Sequence, residues 1–516
     1  MPNRSTDTLF QLIKSLEKSE KRNFKLFATR NSSSEELKVV QLFDALDKME
    51  QYDEELLFRK NKEIKKQQLS NLKAHLYKQI LSSLRLITDE ENIDIQLREQ
   101  LDFARILYNK GLYLQSLKVL EKIKAIARTN NQFTYLQQAI FFEKKIEALY
   151  ITRSMQDRAE NLSKEADEVT LSLQKISLLS NLALQLYGWY IKNGHCRSKK
   201  DETEIIEFVK RSIVFSDREC SGFYERLYLY QCYCWSAFIR QDFLQYYRYT
   251  EKWVRLFKEE PQMIQIESGV YIKGLHNLMS AHFYLSNADK LNAVLNGFKT
   301  FSETKIVRHN FNNEMQFFIC GTIAQFNLHF LKGRFSDGIT LIPEIEKKLI
   351  QYQHFIDSHR ILVFYYKIAC LYFGSGDYGK SIDYLNKIIN RKADLRNDLQ
   401  CYARLLHLIA HFELGNEQIL DHLIKSVYRY MAKMENLTAV EEAIFKFIRK
   451  SFTLNVKKIK PELEKLLTVL RQKQKSRYEK RSFIYLDFIS WLESKIDNVP
   501  VQHVIRKSFI RSINKD

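Results

Sequence analysis

The residues with the clearest chemical potential lie at positions 374–381, where the sequence reads GSGDYGKS. This segment matches the pattern G-x-x-x-x-G-K-[ST], in which backbone N–H groups and the lysine hold nucleotide phosphates. Such a loop needs a buried strand before it and a helix after it. Asp377 would place a carboxylate against the phosphates. Equivalent glycines occur at turn positions 111 and 333, where no Lys-Ser follows them. We therefore interpret the segment as a turn between helices, and nucleotide hydrolysis through Lys380 is retained only as a third functional hypothesis.

Two pairs of metal-binding residue types also stand close together in the sequence. His407 and His411 are four residues apart, which could set two imidazoles on one face of a helix, but the glutamate of H-E-x-x-H is missing. Cys232 and Cys234 lack the usual spacing and a second ligand pair. We expect packing roles for all four residues, and we expect no catalytic residue, metal or cofactor.

Positive charge is concentrated near the end of the sequence. The chain carries a formal charge of +19, and residues 444–481 contain 13 Lys and Arg against three Glu. Leucines at helical spacing give this segment an apolar face, so its cations face solvent. It could bind an anionic partner such as nucleic acid, or it could simply keep the surface soluble. The candidate residues of this basic segment are Lys457, Lys458, Lys460, Arg471, Lys473, Lys475, Arg477, Lys480 and Arg481.

The composition predicts helices as the elements that position these residues. Only 14 Gly and 5 Pro occur in 516 residues, so the chain has few of the turns that a many-stranded sheet requires. Residues 1–100 contain 18 Lys and Arg and 17 Asp and Glu. This near balance of charge argues against a nucleic-acid-binding domain at the N-terminus. We predict an all-α protein.

A weak internal repeat begins near residue 96. Ala104, Gly111 and Ser116 stand at the same spacing as Ala369, Gly376 and Ser381. A small residue allows two helices to approach closely, and glycine allows the tight turn between them. Extending this frame predicts turns near positions 111, 154, 194, 241, 287, 333, 376 and 415.

This repeat resembles the tetratricopeptide (TPR) family, and it is clearest over residues 101–123 and 365–389. The N-terminal segments LFQLIKSL at 9–16 and KSEKR at 18–22 resemble the start of a group of bacterial TPR-like proteins of unknown activity. The resemblance implies a right-handed superhelical solenoid of antiparallel helix pairs with a concave wall. It divides the chain into an N-terminal helical cap at 1–95, a repeat array at 96–435 and a basic helical region at 436–516.

In the TPR frame, the first helix of each pair lines the concave wall. Polar residues interleaved with aromatic ones along that wall suit an extended peptide, although the aromatics could instead pack against each other. The candidate groove residues are Arg105, Tyr108, Asn109, Lys192, Gln231, Trp235, Asn327, Phe330, Tyr366 and Phe373.

The sequence also predicts the compartment and the class of partner. Seven scattered Cys suit reduced thiols, the N-terminus lacks an apolar signal region, and the most apolar long run, 315–331, is interrupted by polar residues. We expect a cytoplasmic protein without membrane or small-molecule ligands. The first hypothesis is a non-enzymatic scaffold that binds a protein or peptide, and the second is a nucleic-acid-associated protein that uses residues 444–481.

Overall fold

The computed structural model describes residues 7–29, 34–60, 66–88, 92–149, 157–353, 355–391, 397–434, 437–451, 456–476 and 478–513. Over these residues the chain forms 28 helices and no strand, which confirms the all-α prediction. The chain divides into two compact units, residues 1–166 and 167–516. The predicted boundaries at 95/96 and 435/436 remain predictions.

The first unit begins with five helices packed around a small apolar core. Ile13, Phe24, Phe43, Leu76 and Ile80 are buried there, and the rings of Phe24 and Phe43 lie 4.7 Å apart. The helices that lie in or begin in this unit are α1 (Thr8–Ser15), α2 (Lys18–Ala28), α3 (Ser34–Lys48), α4 (Glu54–Lys60), α5 (Lys66–Thr88), α6 (Ile93–Asn109), α7 (Tyr113–Thr129), α8 (Phe133–Leu149) and α9 (Arg158–Asn193).

The second unit contains the remaining helices. They are α10 (Lys199–Ser212), α11 (Phe223–Ile239), α12 (Phe243–Glu259), α13 (Gln262–Ile266), α14 (Ser268–Tyr284), α15 (Ala288–Ser302), α16 (Lys305–Arg308), α17 (Phe311–Lys332), α18 (Phe335–Ile339), α19 (Ile342–Gln351), α20 (Ser358–Ser375), α21 (Tyr378–Ile389), α22 (Asn397–Glu413), α23 (Glu417–Lys433), α24 (Ala439–Ser451), α25 (Val456–Gln474), α26 (Lys480–Tyr485), α27 (Phe488–Asp497) and α28 (Val501–Ile513).

Two kinds of helix alternate in the middle of this unit. The first helices α11, α14, α17 and α20 are apolar over most of their surface, whereas α12, α15, α19 and α21 each have one apolar stripe. A helix that is apolar on several sides is buried on several sides, and a striped helix covers a core and faces solvent. Helix α17 accordingly packs against both α14 and α20, while α11, α14 and α20 also pack against the striped helices that follow them.

The turns between paired helices confirm most of the predicted frame. Left-handed backbone occurs at Gly111, Gly194, Gln241, Ser286, Gly333, Gly376 and Gly415, each at a predicted turn or one residue from it. Glycine adopts this conformation without the steric cost of a Cβ atom. The turn predicted near residue 154 lies outside the described residues. Asn131, between α7 and α8, has the same conformation and was not predicted.

The two clearest copies of the repeat share a specific hydrogen bond. Ser116 Oγ donates to the carbonyl oxygen of Ala104 at 2.7 Å, and Ser381 Oγ donates to that of Ala369 at 2.9 Å. Both serines and both alanines are buried. The bond joins the second helix of a pair to the first at the position where the small alanine side chain permits close approach.

The C-terminal helices are part of the second unit's main core. One apolar cluster runs from Met315 to Val501 and includes Leu470 and Trp491. Helix α28 packs against α17 and α20, and Gln502 Oε1 accepts a hydrogen bond from Ser336 Oγ at 3.0 Å. Gly333 lies under this helix, because a Cβ atom there would lie 2.7 Å from the Gln502 carbonyl oxygen.

Candidate functional site

A cavity of about 1440 Å³ lies inside the second unit. One wall is formed by the first helices α11, α14, α17 and α20, and the other by residues of the C-terminal helices α25–α28. Side chains reach it at steps of three and four residues, such as 316, 319, 320, 323 and 327 on α17. This spacing places them on one face of a helix.

The charges that line the cavity are mainly positive. Its lining contains six Lys and Arg side chains and two His, with Asp487 as the single carboxylate among the described residues. Asp487 caps α27, because its Oδ1 accepts a hydrogen bond from the Ser490 N–H at 3.0 Å. The cationic residues of the lining are Lys273, Arg360, Lys367, Arg471, Lys475 and Lys480. Such a surface attracts anions.

Lys367 projects from α20 into this cavity. Its Nζ donates to Asn327 Oδ1 at 2.7 Å and lies 5.6 Å and 5.3 Å from the ring centroids of Phe283 and Phe330. Aromatic faces attract a cation and the amide oxygen solvates it, but neither supplies a full negative charge. Burial lowers the pKa of Lys367 to about 8.

Lys273 and His276 line the cavity from α14. Burial lowers the pKa of Lys273, and the nearby Arg360 lowers it further. Burial, together with Lys273, Arg360 and Lys367, lowers the pKa of His276 to about 3, so the imidazole is neutral at pH 7. Nδ1 of His276 is buried and has no hydrogen-bond partner in the described part of the chain.

Aromatic side chains fill much of the remaining wall. Trp235 comes from α11, Phe283 from α14, Phe330 from α17, and Tyr366 and Phe373 from α20. Aromatic groups offer large apolar contact areas at little cost in side-chain entropy. The cavity therefore combines apolar contact surfaces with fixed positive charges.

The structure brings together half of the predicted groove residues. Trp235, Asn327, Phe330, Tyr366 and Phe373 all line the cavity. Neither Lys192, which is exposed, nor the half-buried Gln231 is among the described residues that line it.

The other three predicted groove residues, Arg105, Tyr108 and Asn109, belong to the first unit. There, Arg105 and Tyr108 both contact the ring of Phe142, and Asn109 is exposed. The prediction of a single wall carrying all ten residues stays untested.

The predicted basic segment has two kinds of cation. Arg471, Lys475 and Lys480 are exposed and line the cavity. Lys458 and Lys460 are also exposed and Lys473 is half-buried, but none of these three is among the described residues that line it. The side chains of Lys457, Arg477 and Arg481 lie outside the part of the chain that the structure describes.

Part of the segment's charge is balanced by nearby carboxylates. Lys450 and Lys465 both pair with Glu462, at 2.8 Å and 2.9 Å, and Arg471 pairs with Glu493 at 2.6 Å. Exposed ion pairs of this kind reduce the charge available to a large polyanion.

The phosphate-loop match has the structure of a turn between helices. Residues 358–375 form α20, so no strand precedes the turn, and Asp377 Oδ1 accepts a hydrogen bond from the Lys380 N–H at 3.0 Å. A Cβ atom at Gly374 would lie 2.7 Å from Cγ of Phe335, so this glycine is needed for close packing. Lys380 Nζ lies 3.7 Å from Asp377 Oδ2. These contacts confirm the interpretation as a turn.

The remaining candidates for chemistry are two buried cysteines and two half-buried histidines. Cys232 and Cys234 are buried, and the Sγ of Cys232 contacts the Leu179 carbonyl oxygen at 3.2 Å. The rings of His407 and His411 lie 4.5 Å apart, and burial lowers the pKa of His407 to about 4. Within the described ranges, no group of three or more His, Cys, Asp or Glu side chains is arranged to hold a metal ion.

Sequence reasoning missed Lys273, His276, Arg360 and Lys367 as site residues. The sequence pattern that could have identified them is a charged or polar residue at helical spacing inside an otherwise apolar segment, such as Lys367 within 361–373. A polar residue at an apolar position of a first helix marks a face that is turned toward a cavity rather than toward packed side chains.

Comparisons with known proteins leave the family unassigned. No protein-family model matches the sequence, and no curated protein matches it. Among the described helices, none has both the length and the apolar character needed to cross a membrane. The fold and the cavity define an all-α protein with a repeat-like arrangement of helices and a positively charged internal site.

Proposed function

We propose that the protein is a non-enzymatic, cytoplasmic binding protein that holds an acidic peptide segment of a partner protein in the cavity of its second unit. In this proposal the helices form a TPR-like, right-handed solenoid of antiparallel pairs. The first helices supply its concave wall. The observation that carries the proposal is the lining of the cavity, which has six Lys and Arg side chains and one carboxylate among the described residues.

The size of the cavity favours a polypeptide segment. Pockets for small molecules commonly have volumes of about 300–1,000 Å³, and this cavity has about 1440 Å³. Its aromatic residues are distributed over many helices, including all four first helices, rather than gathered around one point. Several apolar side chains of one peptide could therefore bind to separate helices, while its carboxylates pair with the lysines and arginines.

The placement of the cations favours an acidic peptide over a nucleic acid. Lys273 and Lys367 lie deep enough for burial to lower the pKa of both. A phosphodiester backbone instead requires a series of cations along an accessible groove. A flexible peptide can direct single carboxylates to deep positions, and it leaves few charges unpaired.

Selection from a library of random peptides tests the proposal. We expect the full-length protein to enrich sequences that combine Asp and Glu with aromatic residues, and we expect a Lys273→Gln/Lys367→Gln variant to lose this enrichment. Lys380→Gln is the matched control, because Lys380 is an exposed cation on α21 that does not line the cavity. Enrichment of neutral or basic peptides, or equal enrichment by the double variant, would contradict the proposal.

A single-stranded nucleic acid is the second candidate ligand. Arg471, Lys475 and Lys480 line the same cavity as Trp235 and Phe330, and cations beside aromatic faces also bind stacked bases. An oligothymidylate is a suitable probe, because its binding should weaken steeply as salt rises and should be lost in a Lys475→Glu/Lys480→Glu variant. Binding that depends weakly on salt and survives these substitutions would exclude this use of the cavity.

A further inference from the structure

Three cations and one neutral imidazole line the cavity from α14 and α20. Lys273 and His276 are three residues apart on α14, and Arg360 and Lys367 are seven residues apart on α20. These spacings keep each pair on one face of its helix. All four residues line the cavity, and α17, which packs against both helices, contributes Asn327 between them.

Two of these three cations, Lys273 and Lys367, lack a carboxylate partner among the described residues. Among the described residues, neither Lys273 nor Lys367 has a carboxylate within ion-pair distance, and Asp357 pairs only with Arg360, at 3.3 Å. Lys273 and Lys367 are half-buried. Charges withdrawn from water are costly unless they are paired, so a protein rarely keeps two such lysines together for stability alone. The same unit satisfies other cations with local carboxylates, as Glu462 does for Lys450 and Lys465.

We propose that Lys273, Arg360 and Lys367, together with the His276 ring, form an anion subsite that binds a phosphate monoester. This inference deepens the proposed function and rests on it for the source of the phosphate, which would be a phosphorylated side chain of the bound peptide. A phosphorylated small molecule carries the same group and is the other source that the experiment distinguishes.

The number of cations favours a phosphate monoester over a carboxylate. A phosphate monoester carries nearly two negative charges at pH 7 and three acceptor oxygens, whereas a carboxylate has one charge and two oxygens. The guanidinium of Arg360 can donate two parallel hydrogen bonds, and the lysines act as point charges. Asn277, on the same face of α14 as Lys273, also lines the cavity and adds a neutral donor.

Titration calorimetry with the full-length protein tests the subsite, with inorganic phosphate and O-phosphoserine as probes. We expect both probes to bind, and we expect Lys273→Gln and Lys367→Gln each to weaken binding about tenfold or more, the usual effect of removing one charge-assisted hydrogen bond. The matched control Lys380→Gln should change affinity less than twofold. No measurable phosphate binding, or equal affinities in all four proteins, would overturn the subsite.

A phosphorus NMR titration provides a readout that is independent of global stability. Nearby cations favour the dianion, so the second pKa of bound phosphate should fall below its usual value of about 6. An unchanged pKa would indicate an adventitious ion only and would also overturn the subsite.

A comparison of matched peptides separates this inference from the proposed function. A peptide selected by the protein is prepared with serine, glutamate or phosphoserine at one acidic position. Tighter binding of the phosphoserine form that is lost in Lys367→Gln supports both proposals. Equal binding of all three forms overturns the subsite but leaves the peptide site intact. Phosphate binding without any peptide binding supports the subsite with a small-molecule source and contradicts the peptide proposal.

Discussion

Replacing Lys367 with glutamine should stabilise the second unit at neutral pH and remove a specific pH dependence. The substitution eliminates a charge that burial disfavours, while the glutamine amide can still donate a hydrogen bond to Asn327. Lys367 therefore lowers the free energy of unfolding, as expected of a residue kept for function rather than for stability.

The size of the effect follows from the pKa of Lys367. Burial lowers this pKa from 10.5 to about 8. At about 1.4 kcal/mol for each unit of pKa shift, the charged lysine lowers the free energy of unfolding by about 3 kcal/mol at pH 7. The variant loses about 1 kcal/mol of this gain because its hydrogen bond to Asn327 is altered. Between pH 8 and 10.5 the unfolded chain holds a proton that the folded chain lacks, so the wild-type protein gains stability as pH rises through this range.

Denaturant unfolding followed by tryptophan fluorescence measures this difference. All four tryptophans, Trp189, Trp235, Trp253 and Trp491, lie in the second unit, so the signal reports on that unit. We expect Lys367→Gln to exceed the wild type by about 2 kcal/mol at pH 7, and we expect the gap to close by about pH 10. A gap that is absent at pH 7, or constant from pH 7 to 10, would refute the assignment of Lys367 as a buried, uncompensated cation.

Three further predictions use matched substitutions. Ser116→Ala and Ser381→Ala should each cost about 1 kcal/mol, because each removes a buried bond to a carbonyl oxygen twelve residues earlier; thermal unfolding of the two variants measures this. Gly333→Ala should cost more than about 2 kcal/mol, since its Cβ would collide with the α28 backbone. Gly415→Ala should cost about 1 kcal/mol, because Gly415 has a similar φ but a Cβ there would have no atom within 4 Å. Equal denaturation midpoints for the two variants would contradict this. Acidification from pH 6.5 to 4.5 should lower the wild-type free energy of unfolding by about 2 to 3 kcal/mol through His276, because the imidazole has a pKa of about 3 in the folded chain but is protonated in the unfolded chain. His276→Gln should abolish this loss, and parallel acid titrations of both proteins check it.

The helical class and the repeat frame could be predicted from local sequence because they depend on local physics. The glycines at 111, 333, 376 and 415 have positive φ in turns, and the buried serine after the turn repeats in both clear copies. The choice between a phosphate loop and a turn could also be made locally, from Asp377 and the recurring glycines.

The cavity could be predicted only in part. Five groove residues were found because the repeat frame assigns them to one wall. The C-terminal wall was not predicted, since it depends on contacts such as that of Ser336 on α18 with Gln502 on α28, which are 166 residues apart in the chain. Local patterns contain no information about contacts at that distance.

The cations of the subsite were missed for a related reason. A lysine within an apolar helix can extend to solvent along its aliphatic stem, so sequence alone does not separate Lys367 from an exposed lysine. Only the packing of α14, α17 and α20 places Lys273 and Lys367 in the lining of one cavity. The positive charge of residues 444–481 could be recognised directly from the sequence, although nearby glutamates balance part of it.

Photo-crosslinking of a selected acidic peptide tests the central claim most directly. A benzophenone side chain in the peptide, followed by mass spectrometry, identifies the protein residues that surround the bound ligand. We predict crosslinks to cavity-lining positions on α11, α14, α17 and α20, which should be lost in the Lys273→Gln/Lys367→Gln variant. Crosslinks confined to the first unit or to the exposed face of α25, at wild-type yield in that variant, would contradict it.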